Sequence, residues 1–420
     1  MSKLSEVGAD VFVALDTPDL RSALEIVDDF KQFKVGYKVG LELLTAVGLP
    51  QVVKSILVIK PNAIIFADLK LKDIPNTVAG AVRALPPGVA ITNLHASGGV
   101  AMMQAAAAAA KEKTAYLFAV TVLTSMSDEE SRVSYGASTA AGNVVRLAIM
   151  AERAGCDGII CSPKDLTTLR GNVSTDLMRL TPGVRPAWAA ANDQKRFTTP
   201  AQAVVLGADG IVIGRPVTNP PDGMTRAQAL SRVLDEMRLI RLFQEFDGLL
   251  QGHFVLKSGK HSNEYLNKNV LFPHDHVMKE VAAILSRLSY TMNPGVIVGP
   301  ETGGAKLAKA MSDYCGTPWV PAKKTPDDDF VVEFPDRLRG KSVLLVEDIL
   351  TTGGSIIKVK NVLEKMGNKI VGILGLINRG GVKLEGLQTI ASLDVTTWEA
   401  NDCPLCLNAV PINTNVGHAK

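Results

Sequence analysis

A chain of 420 residues is long for one hydrophobic core and fits two or three domains. Its 46% hydrophobic and 21% charged residues suit a globular enzyme, and a net charge of +3, evenly spread, is too small to make nucleic acid or a membrane the main partner. Five cysteines (Cys156, Cys161, Cys315, Cys403, Cys406), odd in number and mostly in apolar contexts, favour a reducing compartment over a disulfide framework. No basic-then-apolar leader opens the sequence, and no apolar run of about 18 residues could span a bilayer, so the expected location is the cytoplasm.

In chain order, residues 11–16 (VFVALD) form a short apolar run ending in a carboxylate, followed by a helical pattern over 20–30. Apolar runs recur at 35–44, 63–70, 90–96, 116–123, 158–163, 178–184 and 210–215, with helix-compatible stretches between them such as 98–111 and 141–154. Eight such alternations are the signature of a (β/α)8 TIM barrel, with a doubly wound sheet as the alternative. Polar residues at the C-terminal ends of these runs, Asp16, Lys38, Asp68, Lys70, His95, Thr124, Arg185 and Arg215, would then surround a single mouth. The densest of these ends is FADLKLKDIPNT, residues 66–77, where charge arrives abruptly after buried-strand sequence. Side chains two apart share a strand face, so Asp68 and Lys70 are expected to point the same way. Arg185 and the Gly214-Arg215 pair follow the last two runs, where barrels of this kind bind phosphate.

These residues carry a resemblance. DLKLKDIPNT, with Lys38 in GYKVG upstream and VTVLTSM, TPGVRPAWAAANDQKR and IVIGRP downstream, resembles orotidine 5'-monophosphate (OMP) decarboxylase over about residues 8–237. The resemblance implies catalysis by Lys38, Asp68, Lys70 and Asp73 without a cofactor. It implies OMP contacts from Asp16 (ribose), Thr124 (pyrimidine) and Arg185, Gln194, Gly214 and Arg215 (phosphate). Asp73 and Thr77 would reach into the neighbouring subunit's site, implying a homodimer or a higher homo-oligomer. Lys72 falls at a free position of the motif and is expected to be surface charge. The metal-dependent branch acting on sugar-phosphate enediolates shares D-x-K-x-x-D but needs an acid where Lys38 stands, and an ammonium cannot ligate a cation.

Residues 225–250 are helix-compatible and lack a flexible linker, so a boundary is placed at 237/238. In the second half, VLLVEDILTTGGS (343–355) runs an apolar strand into Glu347 and Asp348. A turn of Thr351, Thr352, Gly353, Gly354 and Ser355 follows, opening a helix near Ile356. Backbone N–H groups, hydroxyls and a helix N-terminus make a phosphate nest, and the carboxylates suit ribose hydroxyls. This stretch resembles the phosphoribosyl pyrophosphate (PRPP) loop of type I phosphoribosyltransferases. The flanks HFVLKSGKHSNEYLN, GPETGG, INRGG and WEANDCPLC are similar to orotate phosphoribosyltransferases. That likeness implies PRPP contacts from Lys257, Lys323 and Lys324, orotate contacts from Tyr265, Leu266 and Arg379, pyrophosphate binding by the GPETGG backbone, and Mg²⁺ carried by PRPP rather than a protein metal site. The C-x-x-C of Cys403 and Cys406 has no second pair or histidines at ligand spacing, so it is not assigned a metal.

One region departs from the family. Where a mobile loop R-K-x-x-K-x-H-G is usual, PAKKTPDDDFVVEF places Asp327, Asp328 and Asp329, whose charge would repel pyrophosphate. Together the halves resemble bifunctional UMP synthases of inverted domain order, with the second half alternatively a PRPP-binding regulatory or scaffold domain of weak transferase activity.

Overall fold

The computed structural model describes residues 4–136, 139–189, 198–256 and 258–416. Gln194 and Lys257 lie outside the described residues. Contacts divide the chain into two compact units, residues 1–234 and 235–420. No single helix among the described residues is long and apolar enough to cross a membrane.

In the first unit, eight parallel strands close on themselves: β1 Val11–Ala14, β2 Gly36–Val39, β3 Ile64–Leu71, β4 Val89–His95, β5 Tyr116–Val120, β6 Gly158–Ile160, β7 Met178–Thr181 and β8 Gly210–Ile213. Pairing of β1 with both β2 and β8 completes the barrel and rules out the doubly wound alternative. The expected run 35–44 overreaches: β2 stops at Val39, and Gly40 begins a helix over Leu41–Val47. Apolar sequence alone does not separate the end of a strand from the start of a helix.

The barrel interior is filled by strand side chains, among them Phe12, Phe66, Ile91, Phe118, Ile160 and Leu180. Phe12 and Phe66 meet edge to face with centroids 6.0 Å apart. The Phe12 ring fits because β2 carries Gly36 opposite it; a Cβ there would come within 2.4 Å of that ring. Leu4, fully buried, joins this cluster from the N-terminal helix Leu4–Val7. The floor is therefore apolar, and polar side chains collect at the strands' C-terminal ends.

The second unit centres on a six-stranded sheet, in spatial order β13-β12-β11-β14-β15-β16. Its strands are β11 Val296–Pro300, β12 Trp319–Lys324, β13 Phe330–Val332, β14 Ser342–Leu350, β15 Lys369–Asn378 and β16 Leu387–Ser392. All neighbours are parallel except the hairpin β12–β13. Helices Gly303–Cys315 and Gly354–Lys365 follow β11 and β14, so the sheet's C-terminal edge meets helix N-termini. A separate antiparallel pair, β9 Leu249–Val255 and β10 His261–Leu266, precedes this sheet in the chain.

Candidate active sites

A cavity of about 500 Å³ opens at the C-terminal ends of the barrel strands. Asp16, Lys38, Asp68, Lys70, Thr124, Arg185, Gly214 and Arg215 all line it. Four of these form an alternating line of charge. Lys38 Nζ lies 2.9 Å from Asp16 Oδ1 and 3.2 Å from Asp68 Oδ2, and Lys70 Nζ lies 2.6 Å from Asp68 Oδ1.

The backbone explains how Asp68 and Lys70 reach one cavity. Pairing of β3 with β4 slips between Ala67 and Leu71, so the stretch Asp68–Lys70 bulges, with Lys70 at a φ of +51°. Asn93 of β4 fixes the bulge: its Oδ1 accepts the Lys70 backbone N–H at 2.7 Å and its Nδ2 donates to Asp68 Oδ1 at 2.7 Å. Asn93 was not among the expected site residues. The signal available was a buried amide inside the apolar strand sequence AITNLH.

Burial would push the Asp68 carboxyl up, but the ammoniums of Lys38 and Lys70, with hydrogen bonds from Lys70 and Asn93, hold it below its ordinary value. Lys38 is likewise discouraged by burial, yet Asp68 and Asp16 hold its pKa above normal. Asp68 and Lys38 are therefore both held in their charged forms, and the line is preorganised, because no member must move to find its partner.

Other expected residues lie elsewhere. Asp73 and Thr77 are exposed and do not border the cavity; the Asp73 carboxylate accepts the Ile74 N–H at 2.6 Å. Lys72 is exposed and lines a different groove with His95. Burial, with Lys70 and Lys72 nearby, depresses the His95 pKa.

In the second unit a cavity of about 300 Å³ is bordered by Lys324, Glu347, residues 351–355 and Lys358. Gly353, at a φ of +75°, turns the chain into the helix Gly354–Lys365. The two adjacent carboxylates separate: Glu347 borders the cavity, whereas Asp348, 2% exposed, forms an ion pair with Lys268. Burial and the neighbouring Asp348 raise Glu347 to about 8. Lys268, absent from the expected set, lies 80 residues from Asp348 in sequence, and only the fold brings it there.

Gly303 of GPETGG has a packing role. A Cβ on it would stand 1.4 Å from Asp348 Oδ2, so glycine lets this helix start seat against β14. Arg379 and Tyr265 come together: burial lowers the Arg379 pKa, and Tyr265 and Glu264 oppose that shift. Tyr265 stacks near Phe254 at 5.5 Å, and Leu266 is buried.

The aspartate-rich stretch forms the turn of the β12–β13 hairpin rather than an open cover. Asp328 pairs with Lys324 and, at 2.7 Å, with Lys358, and these lysines lower its pKa to about 2. Lys323 is turned to Glu333 at 2.5 Å and does not border the cavity. Finally, Cys403 and Cys406 do have histidine neighbours, His253 and His261, brought to them by the fold.

A parallel barrel with a lysine–carboxylate line at its mouth, followed by a sheet with a Thr-Gly phosphate loop, defines a two-domain α/β enzyme for phosphorylated substrates. The chain belongs to the orotidine 5'-phosphate decarboxylase / HUMPS family, whose model matches residues 9–230. A phosphoribosyl transferase domain model matches residues 269–400. The chain is 43% identical to an orotidine 5'-phosphate decarboxylase of Moorella thermoacetica over 237 residues, covering 54% of this chain and 93% of that one. It is 45% identical to one of Idiomarina loihiensis over 215 residues, covering 50% and 92%. A solved orotidine 5'-phosphate decarboxylase structure from Lactobacillus acidophilus is 34% identical and covers 55% of this chain and 99% of its own, with a TM-score of 0.48. A decarboxylase domain thus precedes a phosphoribosyltransferase domain, the inverted order of a bifunctional UMP synthase, and pyrimidine biosynthesis is the process these domains serve.

Proposed function

We propose that this chain performs two consecutive reactions. The second unit joins orotate to the ribose of PRPP, releasing pyrophosphate, and the barrel then converts OMP to UMP and CO2. The observation that carries the reading is the line Asp16–Lys38–Asp68–Lys70 in one cavity.

Decarboxylation at C6 of the pyrimidine leaves its bonding electron pair on that carbon as a poorly delocalised carbanion. Lys70 is the group to stabilise it and to supply the proton that replaces CO2; the amine then recovers a proton from solvent. Asp68 keeps Lys70 charged and aimed, and lies beside the departing carboxylate. Lys38 holds Asp68 from the other side and stands where a metal-dependent relative would need an oxygen ligand. Asp16 takes the ribose hydroxyls and Thr124 the pyrimidine, while Arg185, Gln194, Gly214 and Arg215 hold the phosphate. Asp73 and Thr77, outside their own cavity, complete the partner's site in a homodimer.

In the transferase unit, the loop of Thr351, Thr352, Gly353, Gly354 and Ser355 holds the 5'-phosphate, Glu347 serves the ribose, and Lys257 and Lys324 serve PRPP; Asp348, paired with Lys268, and Lys323, paired with Glu333, stand outside this cavity. Tyr265, Leu266 and Arg379 receive orotate. The oxygen donors of this cavity, the Glu347 carboxyl and the threonine and serine hydroxyls, suit a hard cation. Mg²⁺ bound with PRPP supplies charge neutralisation on the leaving pyrophosphate.

Carboxyl-labelled orotate given to the purified chain with PRPP and Mg²⁺ should release all of its label as CO2 and leave unlabelled UMP. A second reading, a PRPP-binding regulatory unit beside an active decarboxylase, is favoured by one observation: Asp328 occupies Lys324 and Lys358 at the cavity edge. Rapid OMP turnover with negligible orotate consumption would establish it instead.

A further inference from the structure

The second unit gathers four residues that line neither cavity, His253, His261, Cys403 and Cys406, each offering a ligand atom within 4.8 Å of the others. We propose that these four residues form a structural zinc site that clamps the β9–β10 hairpin to the C-terminal segment. The site does not depend on the catalytic reading of either unit.

The geometry suits one tetrahedral ion. Metal–nitrogen bonds of about 2.0 Å and metal–sulfur bonds of about 2.3 Å imply nitrogen–sulfur edges of roughly 3.5 Å and a nitrogen–nitrogen edge of roughly 3.3 Å. Here Cys403 Sγ and Cys406 Sγ each lie 3.6 Å from His253 Nε2, and Cys406 Sγ lies 3.3 Å from His261 Nδ1. His253 Nε2 and His261 Nδ1 stand 2.7 Å apart, closer than that edge, so the imidazoles must spread by roughly 0.6 Å to admit an ion. Such a movement is small for two rings on adjacent strands of a two-stranded sheet.

The surroundings orient the ligands. His253 Nδ1 is 2.7 Å from the Val410 carbonyl oxygen, to which a protonated Nδ1 donates. That bond leaves the Nε2 lone pair facing the cluster, the usual support for a metal-bound histidine. Both cysteines are free thiols. His253, His261 and Cys403 are buried and Cys406 closes the solvent side. Two thiolates and two neutral imidazoles exactly offset a dication's charge, so burial of the ion leaves no net charge. The two thiol protons pass to solvent on binding, and no electron is transferred. Four protein ligands leave no open position, which makes the site structural rather than catalytic. The S2N2 donor set selects zinc over the oxygen-seeking Mg²⁺.

The clamp has a clear mechanical object. A hairpin of two strands is marginal alone, and this one bonds to the C-terminal segment through backbone: the His261 N–H donates to Trp398 O at 2.8 Å and the Trp398 N–H to His261 O at 2.9 Å. The Asn413 N–H donates to His253 O at 2.7 Å. Strand β10 also carries Tyr265, so the ion would fix the strand that bears a proposed orotate contact.

The test is elemental analysis of the full chain purified under reducing conditions, followed by cobalt exchange. About one zinc per chain is expected, and a visible cobalt–thiolate spectrum of tetrahedral type after exchange. Cys406→Ser and His261→Ala should each lose most of that zinc, while Cys315→Ser keeps it. The transferase unit's own thermal transition, followed by circular dichroism, reports whether that unit is folded in each variant, and OMP decarboxylation reports the barrel. Chelation should lower the melting temperature of the transferase unit without changing the decarboxylation rate. Reduced protein whose transferase unit shows its own cooperative thermal transition yet takes up no zinc or cobalt would overturn the proposal, as would full zinc retention by both Cys406→Ser and His261→Ala.

Discussion

The two units treat a buried carboxylate in opposite ways. Asp68 is buried among ammoniums and stays ionised below its ordinary pKa, whereas Glu347 is buried beside another carboxylate and is raised to about 8. The difference lies in who holds the lysine. Lys38 and Lys70 both face Asp68, but Lys268 is ion-paired to Asp348 and only partly offsets the rise of Glu347. The barrel's site is complete in charge in the free protein; on the proposed reading, the transferase's acquires its compensation from the cation that accompanies PRPP. Carbanion chemistry in a solvent-poor cavity rewards the first arrangement, since reorganisation at the moment of reaction is costly. A site that must bind and release a highly charged substrate is served by the second.

The largest expected effect comes from breaking the complete array. Lys70→Ala should reduce OMP decarboxylation by about 10⁴-fold or more, as proton donor and charge stabiliser are lost together. Orotate consumption by the same chain should be unchanged; near-normal OMP turnover would end the assignment. Mixing Lys70→Ala with Asp73→Asn chains should restore part of the decarboxylation in hybrid dimers, and its absence despite subunit exchange would refute the shared site. Next, Lys268→Met leaves Asp348 buried without its cation and should lower transferase kcat/KM by about 10²-fold, measured as orotate consumption.

The contrast also has a pH signature. Glu347 has a folded pKa above its unfolded value, so the folded unit binds the extra proton and its stability falls as pH rises from about 4.5 towards 8, then levels. PRPP binding that needs the carboxylate should strengthen by up to about tenfold per pH unit below 8 and flatten above it. Glu347→Gln should remove that slope in a calorimetric titration. Asp68 has the opposite sign: its contribution is present above about pH 4 and is lost as pH falls through its lowered folded pKa. The smallest effect is at the exposed hairpin, where Asp328→Asn frees Lys324 and Lys358 and should lower the KM for PRPP by about two- to fivefold.

Much of the barrel was legible because most apolar runs carry a polar residue at or near the C-terminal end, where a barrel has its mouth. Lys38, Asp68 and Lys70 fell together for that reason. Asn93 was harder to see, because a single amide within a strand reads as packing until the β3 bulge requires a partner. Lys268 and Asp348 are joined only by tertiary structure, and so are Cys403 and Cys406 with His253 and His261. Ligand spacing within a short window could not reveal a cluster whose members lie about 150 residues apart. The three aspartates read as repulsive because sequence gave no sign that Lys358 would approach one of them.

The most direct measurement follows both reactions in one preparation with and without a chelator of Mg²⁺. Orotate consumption should stop on chelation and return when Mg²⁺ alone is restored, while decarboxylation of added OMP proceeds at an unchanged rate throughout. Loss of OMP decarboxylation on chelation would contradict the metal-free ammonium mechanism at Lys70.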